Sequence, residues 1–136
     1  MGIRFKTGKK GQPQILGELE AQVMDLIWDH GPQTVRQVHR SLSAQRDLAY
    51  TTVMTVMTRL AEKEVLAKHK QGNAFLYRAV QDKNTFQQDS ARRIFTSLMK
   101  GFGGAVVQPL VDSLDHLDDS ELDELMKMVQ AKRKKP

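Results

Sequence analysis

The sequence predicts a mainly α-helical protein with one small β-hairpin: three short helices, the hairpin, and a helical C-terminal region. Three observations predict it. Apolar residues recur at three- and four-residue spacings between residues 18 and 64, the period of helices packed by one face. Two strand-like runs, "EVLAKHK" and "AFLYRAV", flank "QGN", a strong turn signal centred on Gly72-Asn73. From Asp82 onward the helical spacing resumes.

Residues 1–14, "MGIRFKTGKKGQPQ", are polar, rich in Gly and Lys, and read as a mobile basic arm. The first helix is "GELEAQVMDLIWDHG". Gly17 caps it with Glu20 three residues on, Leu19, Val23, Leu26 and Ile27 form its stripe, and Gly31-Pro32 ends it. The second helix, "TVRQVHRSL", opens with Thr34 and Gln37 in capping-box spacing and turns Val35, Val38 and Leu42 inward. The third, within "LAYTTVMTVMTRLAEK", is built from poor helix formers. Six of the eight residues from Thr51 to Thr58 are β-branched. Its inner stripe is still helical, at Val53, Val56, Met57 and Leu60, with Thr51, Thr52, Thr55, Thr58 and Arg59 opposite. Lys68, Lys70 and Arg78 crowd the hairpin that follows.

Beyond it, Phe86, Ile94, Phe95, Leu98 and Met99 follow helical spacing until "KGFGG" interrupts at residues 100–104. "AVVQPLVDSLDHL" continues, with Pro109 kinking it or sitting in its first turn. The last helix, "DDSELDELMKMVQAKRKK", is capped by Asp119 or Ser120. It has acids early and lysines late, as the macrodipole prefers, and a stripe of Leu122, Leu125, Met126 and Val129. The expected division is a basic arm at 1–14, a helix-and-hairpin unit at 15–81, a helical region at 82–132 and a basic tail at 133–136.

Composition narrows the function. The chain has 136 residues, 40% hydrophobic and 27% charged, which is ordinary for a folded protein. It has no cysteine, and His30, His39, His69 and His116 fall on different elements, so no metal site or other cofactor is expected. No phosphate loop, Ser-His pairing or framed carboxylate pair suggests an enzyme. No signal peptide is visible and no apolar run approaches the ~18 residues of a membrane span, so a cytoplasmic protein without membrane insertion is expected. The net charge of +5 sits mainly in the arm: residues 1–14 hold four basic residues and no acid. Residues 15–80 hold eight basic and seven acidic residues, and 81–136 hold nine of each.

Three helices and then a basic hairpin is the order of a winged helix-turn-helix, whose third helix enters the DNA major groove. That order explains the threonines. A hydroxyl bonds a phosphate or a base edge, and the methyl packs on a thymine methyl. Thr51, Thr52, Thr55 and Arg59 are therefore the candidate DNA-binding residues on the helix, with Lys68 and Lys70 on the wing for phosphate.

"GELEAQVMDLIW", "TVRQVHRSL", "YTTVMTVMTRLAEKEVL" and "GNAFLYRAV" resemble the penicillinase-repressor family, from about Leu16 to Val80 and more loosely beyond. The resemblance implies a homodimeric bacterial repressor on a pseudo-palindromic double-stranded operator. It also implies release by cleavage of the C-terminal region, through a protease linked to a membrane sensor of β-lactams. The family cut falls between Asn and Phe just after Gly-Gly. Here the counterpart is Gly103-Gly104-Ala105-Val106, so Ala105 and Val106 are the candidate cleavage pair and the Asn-Phe is absent.

The C-terminal stripes either fold on their own chain, giving a monomer, or pair with a second copy. Two half-sites favour pairing, with Phe95, Leu98, Val107, Leu110, Leu122, Leu125 and Met126 at the interface or core. The alternative function is a winged-helix module for protein interaction or RNA, which would expose large apolar anchors on the third helix.

Overall fold

The computed structural model describes Lys6–Thr7, Pro13–Gln14 and residues 16–133. Within the segment expected to be a mobile arm, strands β1 (Lys6–Thr7) and β2 (Pro13–Gln14) pair antiparallel, Lys6 opposite Gln14. The rest of that arm, and residues 134–136 of the expected basic tail, lie outside the described residues. The chain divides into two compact units, 1–90 and 91–136.

The first unit holds α1 (Glu18–His30), α2 (Val35–Ser43), α3 (Tyr50–Glu62), β3 (Leu66–Gln71), β4 (Ala74–Ala79) and the first turns of α4 (Lys83–Phe102). The predicted stripes build its core. Val23 and Ile27, Val35, Val38 and Leu42, and Val53, Met57 and Leu60 are all buried, joined by Met24, Leu66 and Tyr77. Leu19, Leu26 and Val56 pack against this cluster while partly exposed. The β-branched residues of α3 are thus tolerated because its buried face is fixed by α1 and α2, not by helix propensity.

Local chemistry sets the helix ends. The Gly17 amide donates to Glu20 Oε1 at 3.0 Å, and Thr34 and Gln37 form the reciprocal capping box. At the end of α1, Gly31 takes a φ of 86° and donates to the Ile27 carbonyl at 2.8 Å. The hairpin turns on Gly72-Asn73, with Gly72 at φ 63°. β3 and β4 run antiparallel in the register Leu66 to Ala79, Lys68 to Tyr77 and Lys70 to Phe75. Gln33, just before α2, exchanges two backbone hydrogen bonds with Tyr77 (3.0 and 2.8 Å) and so adds a one-residue rung on the other edge of β4. That rung has no signature in the sequence, because it uses only backbone groups. Trp28 is partly buried. Its Nε1 donates to the Gln81 carbonyl at 2.9 Å and its ring lies 5.4 Å from that of Phe86, which binds the start of α4 to α1.

Glu64 closes α3 with a φ of 65° while Val65 donates back to the Leu60 carbonyl at 2.9 Å, a left-handed cap that favours glycine. Glu64→Gly is expected to stabilise the chain by about 0.5 kcal/mol, the relieved strain less the added chain entropy. Urea unfolding checks this as a higher midpoint at unchanged slope. Asp82 caps α4, its Oδ1 accepting from the Thr85 amide at 2.7 Å. That bond holds the carboxyl below its ordinary pKa. The depressed pKa means that the cap's contribution is present above the ordinary aspartate range and is lost as pH falls through the lowered value. Asp82→Asn should keep a neutral cap and remove this part of the acid sensitivity, read from thermal melts between pH 2 and 6, a window taken to bracket the usual aspartate range (~3.9).

The second unit continues α4 into a 3-10 turn at Gly103–Val106. It then forms α5 (Val107–Ser113), a 3-10 turn at Leu114–His116 and α6 (Asp119–Arg133). The glycine interruption is where the α-helix tightens, with Gly103 at φ 59°. Pro109 sits in the first turn of α5, where its missing N–H costs nothing. The cap of α6 is Asp118, one residue before Asp119 and two before Ser120, the expected positions. Its Oδ1 accepts from the Glu121 amide at 2.8 Å, and Glu121 Oε1 accepts from the Asp118 amide at 3.1 Å. Glu121 stands three residues on from Asp118, so only that aspartate can complete the reciprocal box. No described residue from 91 to 133 is buried.

The helical stretch Lys83–His116 contains an 18-residue window of mean hydropathy 1.2, none of it buried, so it is long and apolar enough to cross a membrane by length and composition. It contains no unbroken apolar run of that length, because glycines and polar residues such as Thr96, Ser97 and Lys100 interrupt the apolar ones.

Candidate nucleic-acid interface

The first turns of α3 are held outward by its buried stripe. With Val53, Met57 and Leu60 fully buried, the same helix must present Thr51, Thr52, Thr55 and Arg59 to solvent, and all four are exposed. Two larger residues share the exposed side, Tyr50 at 44% and Met54 at 41%, neither of which the sequence reading placed there. Both occupy positions that the buried stripe leaves over. Their spacing alone does not separate a partly apolar outer face from a wide inner one.

The helix begins without a side-chain cap at Ala49. Its free amide ends and macrodipole therefore make the N-terminus of α3 an end that favours anions. Thr55 Oγ1 donates to the Thr51 carbonyl at 2.9 Å. With its proton so used, the hydroxyl can accept from a base amino group and its methyl can meet a thymine, but it cannot donate to a phosphate. His39, on α2, fixes how the chain approaches α3. Its Nε2 donates to the Leu48 carbonyl at 2.7 Å, and its ring meets that of Tyr50 edge-on at 5.7 Å.

Along the sequence, charge is sorted within this unit more sharply than the near-balance of residues 15–80 suggests, although Arg46 and Lys63 reach back to Glu18 and Glu20 on α1 (3.8 and 3.1 Å). The α1 segment carries Glu18, Glu20, Asp25 and Asp29 and no Lys or Arg. All eight basic residues of 15–80 fall in 33–80, against Asp47, Glu62 and Glu64. Arg36 and Arg40 on α2 are exposed and were not among the expected site residues. With His39 between them in sequence, they share the side of α2 that reaches Tyr50. The signal that could have found them is charge counted element by element. Lys68 and Lys70 are exposed on the hairpin, on the same face as Tyr77 and Phe75 by cross-strand pairing. The unit thus brings a polar helix face and two wing lysines into one domain with an acidic α1.

The other expected site residues lie in the second unit. Phe95, Val107, Leu110 and Met126 are exposed, Met126 at 62%, while Leu98, Leu122 and Leu125 are partly buried. Ala105 is exposed and Val106 partly buried, both in the 3-10 turn.

A family model described as penicillinase repressor matches residues 16–131. The chain belongs to the penicillinase repressor family. Two strains of Mycobacterium tuberculosis each hold a relative named transcriptional regulator BlaI. It is 56% identical over 66 residues, 48% of this chain and 48% of that protein. The chain thus spans about half the length of these relatives. The penicillinase repressor of Bacillus licheniformis is 26% identical over 118 residues, covering 87% of this chain and 91% of that one. Among solved structures, the monomeric form of Bacillus licheniformis BlaI in complex with the blaP half-operator is 30% identical. It covers 52% of this chain and 87% of that one at a TM-score of 0.46. Family membership spans both units of the chain, so the helical region at 91–131 is part of the penicillinase repressor pattern and not an unrelated appendage.

Proposed function

We propose that this penicillinase repressor family member is a transcriptional repressor that binds a pseudo-palindromic DNA operator as a homodimer. The observation that carries the reading is α3. Val53, Met57 and Leu60 are fully buried on its inner side, and its first turns expose Thr51, Thr52, Thr55 and Arg59 in the 33–80 segment that holds all eight basic residues of 15–80. An exposed helix of that kind fits the major groove, with Thr and Arg against base edges and phosphates. Lys68 and Lys70 reach the flanking backbone by the same logic. The exposure of Tyr50 and Met54 adds an aromatic ring and a flexible apolar chain that can pack on sugar and thymine methyls.

The homodimer is supported by the second unit. Phe95, Val107, Leu110 and Met126 stand exposed in the second unit, where no described residue is buried, and a second copy covers such a surface. The same apolar side chains account for the hydropathy of 83–116 without a membrane. Two copies supply the two half-sites that specific binding needs. Family membership and the Bacillus relative's name point to β-lactam resistance genes as the regulated class. Release by cutting at Ala105-Val106 would remove α5 and α6 from the dimer. Because Asn-Phe is absent, the family's protease and its inducing signal are not carried over to this cut by the resemblance.

A gel shift tests the DNA reading: a palindromic duplex from the promoter of the protein's own gene against unrelated duplex, at two salt concentrations. Binding should fall steeply with salt while a preference for the palindrome survives. Equal affinity for all duplexes at both salts would refute sequence-specific repression.

A further inference from the structure

At the tip of the wing, an exposed aromatic ring stands between two cations. Phe75 is 46% exposed although the core lies on the same hairpin face, where Leu66 and Tyr77 are buried. The Lys68 ammonium lies over its ring, 4.7 Å from the centroid, and Lys70 is its direct cross-strand partner. We propose that Phe75 is a positioning residue for DNA binding: its ring holds the Lys68 ammonium in place for a backbone phosphate.

The chemistry suits that role. Attraction to the ring face is electrostatic and leaves the N–H donors that point away from the ring free, so a held lysine can still donate to phosphate oxygens. A lysine side chain is rich in rotamers, and ordering it before DNA arrives removes part of the cost of ordering it on contact. Core packing does not explain an aromatic at this position, since the ring is half outside the fold. Lys70, the direct cross-strand partner of Phe75, adds a second positive charge to the same face of the wing. The proposal rests on the DNA-binding reading and adds to it a residue that touches no base.

A double-mutant cycle on the full-length protein tests it, with duplex affinity as the readout. Phe75→Leu, which keeps bulk and loses the ring, should weaken binding about two- to fivefold, equally on operator and unrelated duplex. Lys68→Ala should weaken it further and lower the salt slope by about one. With Lys68→Ala already present, Phe75→Leu should have no further effect, and Phe75→Trp alone should restore or exceed wild-type affinity. A merely structural ring would give additive losses and a lowered melting temperature, and that result overturns the proposal while leaving DNA binding intact. Absence of any duplex binding by the wild-type protein overturns both.

Discussion

Ending the chain after Ser90 should leave a folded monomer whose operator affinity is lower by about a hundredfold or more, the gain that a linked second site provides. The buried core lies entirely in residues 23–77, so α1, α2, α3 and the hairpin keep their packing without the second unit. The cut is placed at Ser90 because the start of α4 belongs to the first unit. The Gln81 carbonyl accepts from Trp28 Nε1, Phe86 packs tilted beside that indole, and Gln81 Nε2 donates to Asp89 Oδ2 at 2.6 Å. A cut at Val80 would strip these partners from Trp28 and confuse lost folding with lost dimerisation. Sedimentation of both forms, and titration of a full operator and a half-operator, give the measurement. The truncated form should bind the two duplexes equally, and the full chain should favour the full operator. A truncated form that still sediments as a dimer would place the interface in the first unit. Leu110→Asp in the intact chain offers a milder version: a charge on an exposed apolar surface should dissociate the pair without touching the DNA-binding core.

What could be read from the sequence follows from what periodicity encodes. Burial has a period, so Val38, Val53, Met57 and Leu60 announce themselves, and so do caps with fixed spacing such as Thr34 and Gln37. Contacts to backbone carbonyls have none. His39 to Leu48, Trp28 to Gln81 and Gln33 to Tyr77 arise from the way elements meet, and nothing in the residues at either end marks them in advance. Asp118, Asp119 and Ser120 are three competent caps in a row, and only the reach of Glu121 selects among them. On the candidate interface, the polar side of α3 was legible because Thr and Arg stand out against apolar neighbours. Tyr50 and Met54 were not, because an apolar residue beside a buried stripe is consistent with either face. The charge sorting between α1 and the rest of the unit was hidden by summing over 15–80. For the second unit, a stripe states that a face avoids water but not what covers it.

Arg59→Ala should weaken operator binding about ten- to a hundredfold, the range for a well-placed base or phosphate contact, with little change in melting temperature. The side chain is exposed, so its loss opens no cavity. The pattern of loss reports the contact. A phosphate partner predicts equal weakening on every duplex and a salt slope lower by about one. A guanine edge predicts loss on operator alone. Thr55 can be dissected the same way, because its hydroxyl proton is already given to the Thr51 carbonyl. Thr55→Val keeps the methyl and removes the acceptor, and Thr55→Ser does the reverse. If Thr55 meets a thymine methyl, the valine variant binds as wild type and the serine variant loses about tenfold, the low end of what one well-made base contact is worth. If it accepts from an adenine or cytosine amino group, the order inverts. Should Arg59→Ala and both Thr55 variants all bind operator as wild type does, the outer side of α3 does not read DNA, and recognition must lie on another surface of the basic unit.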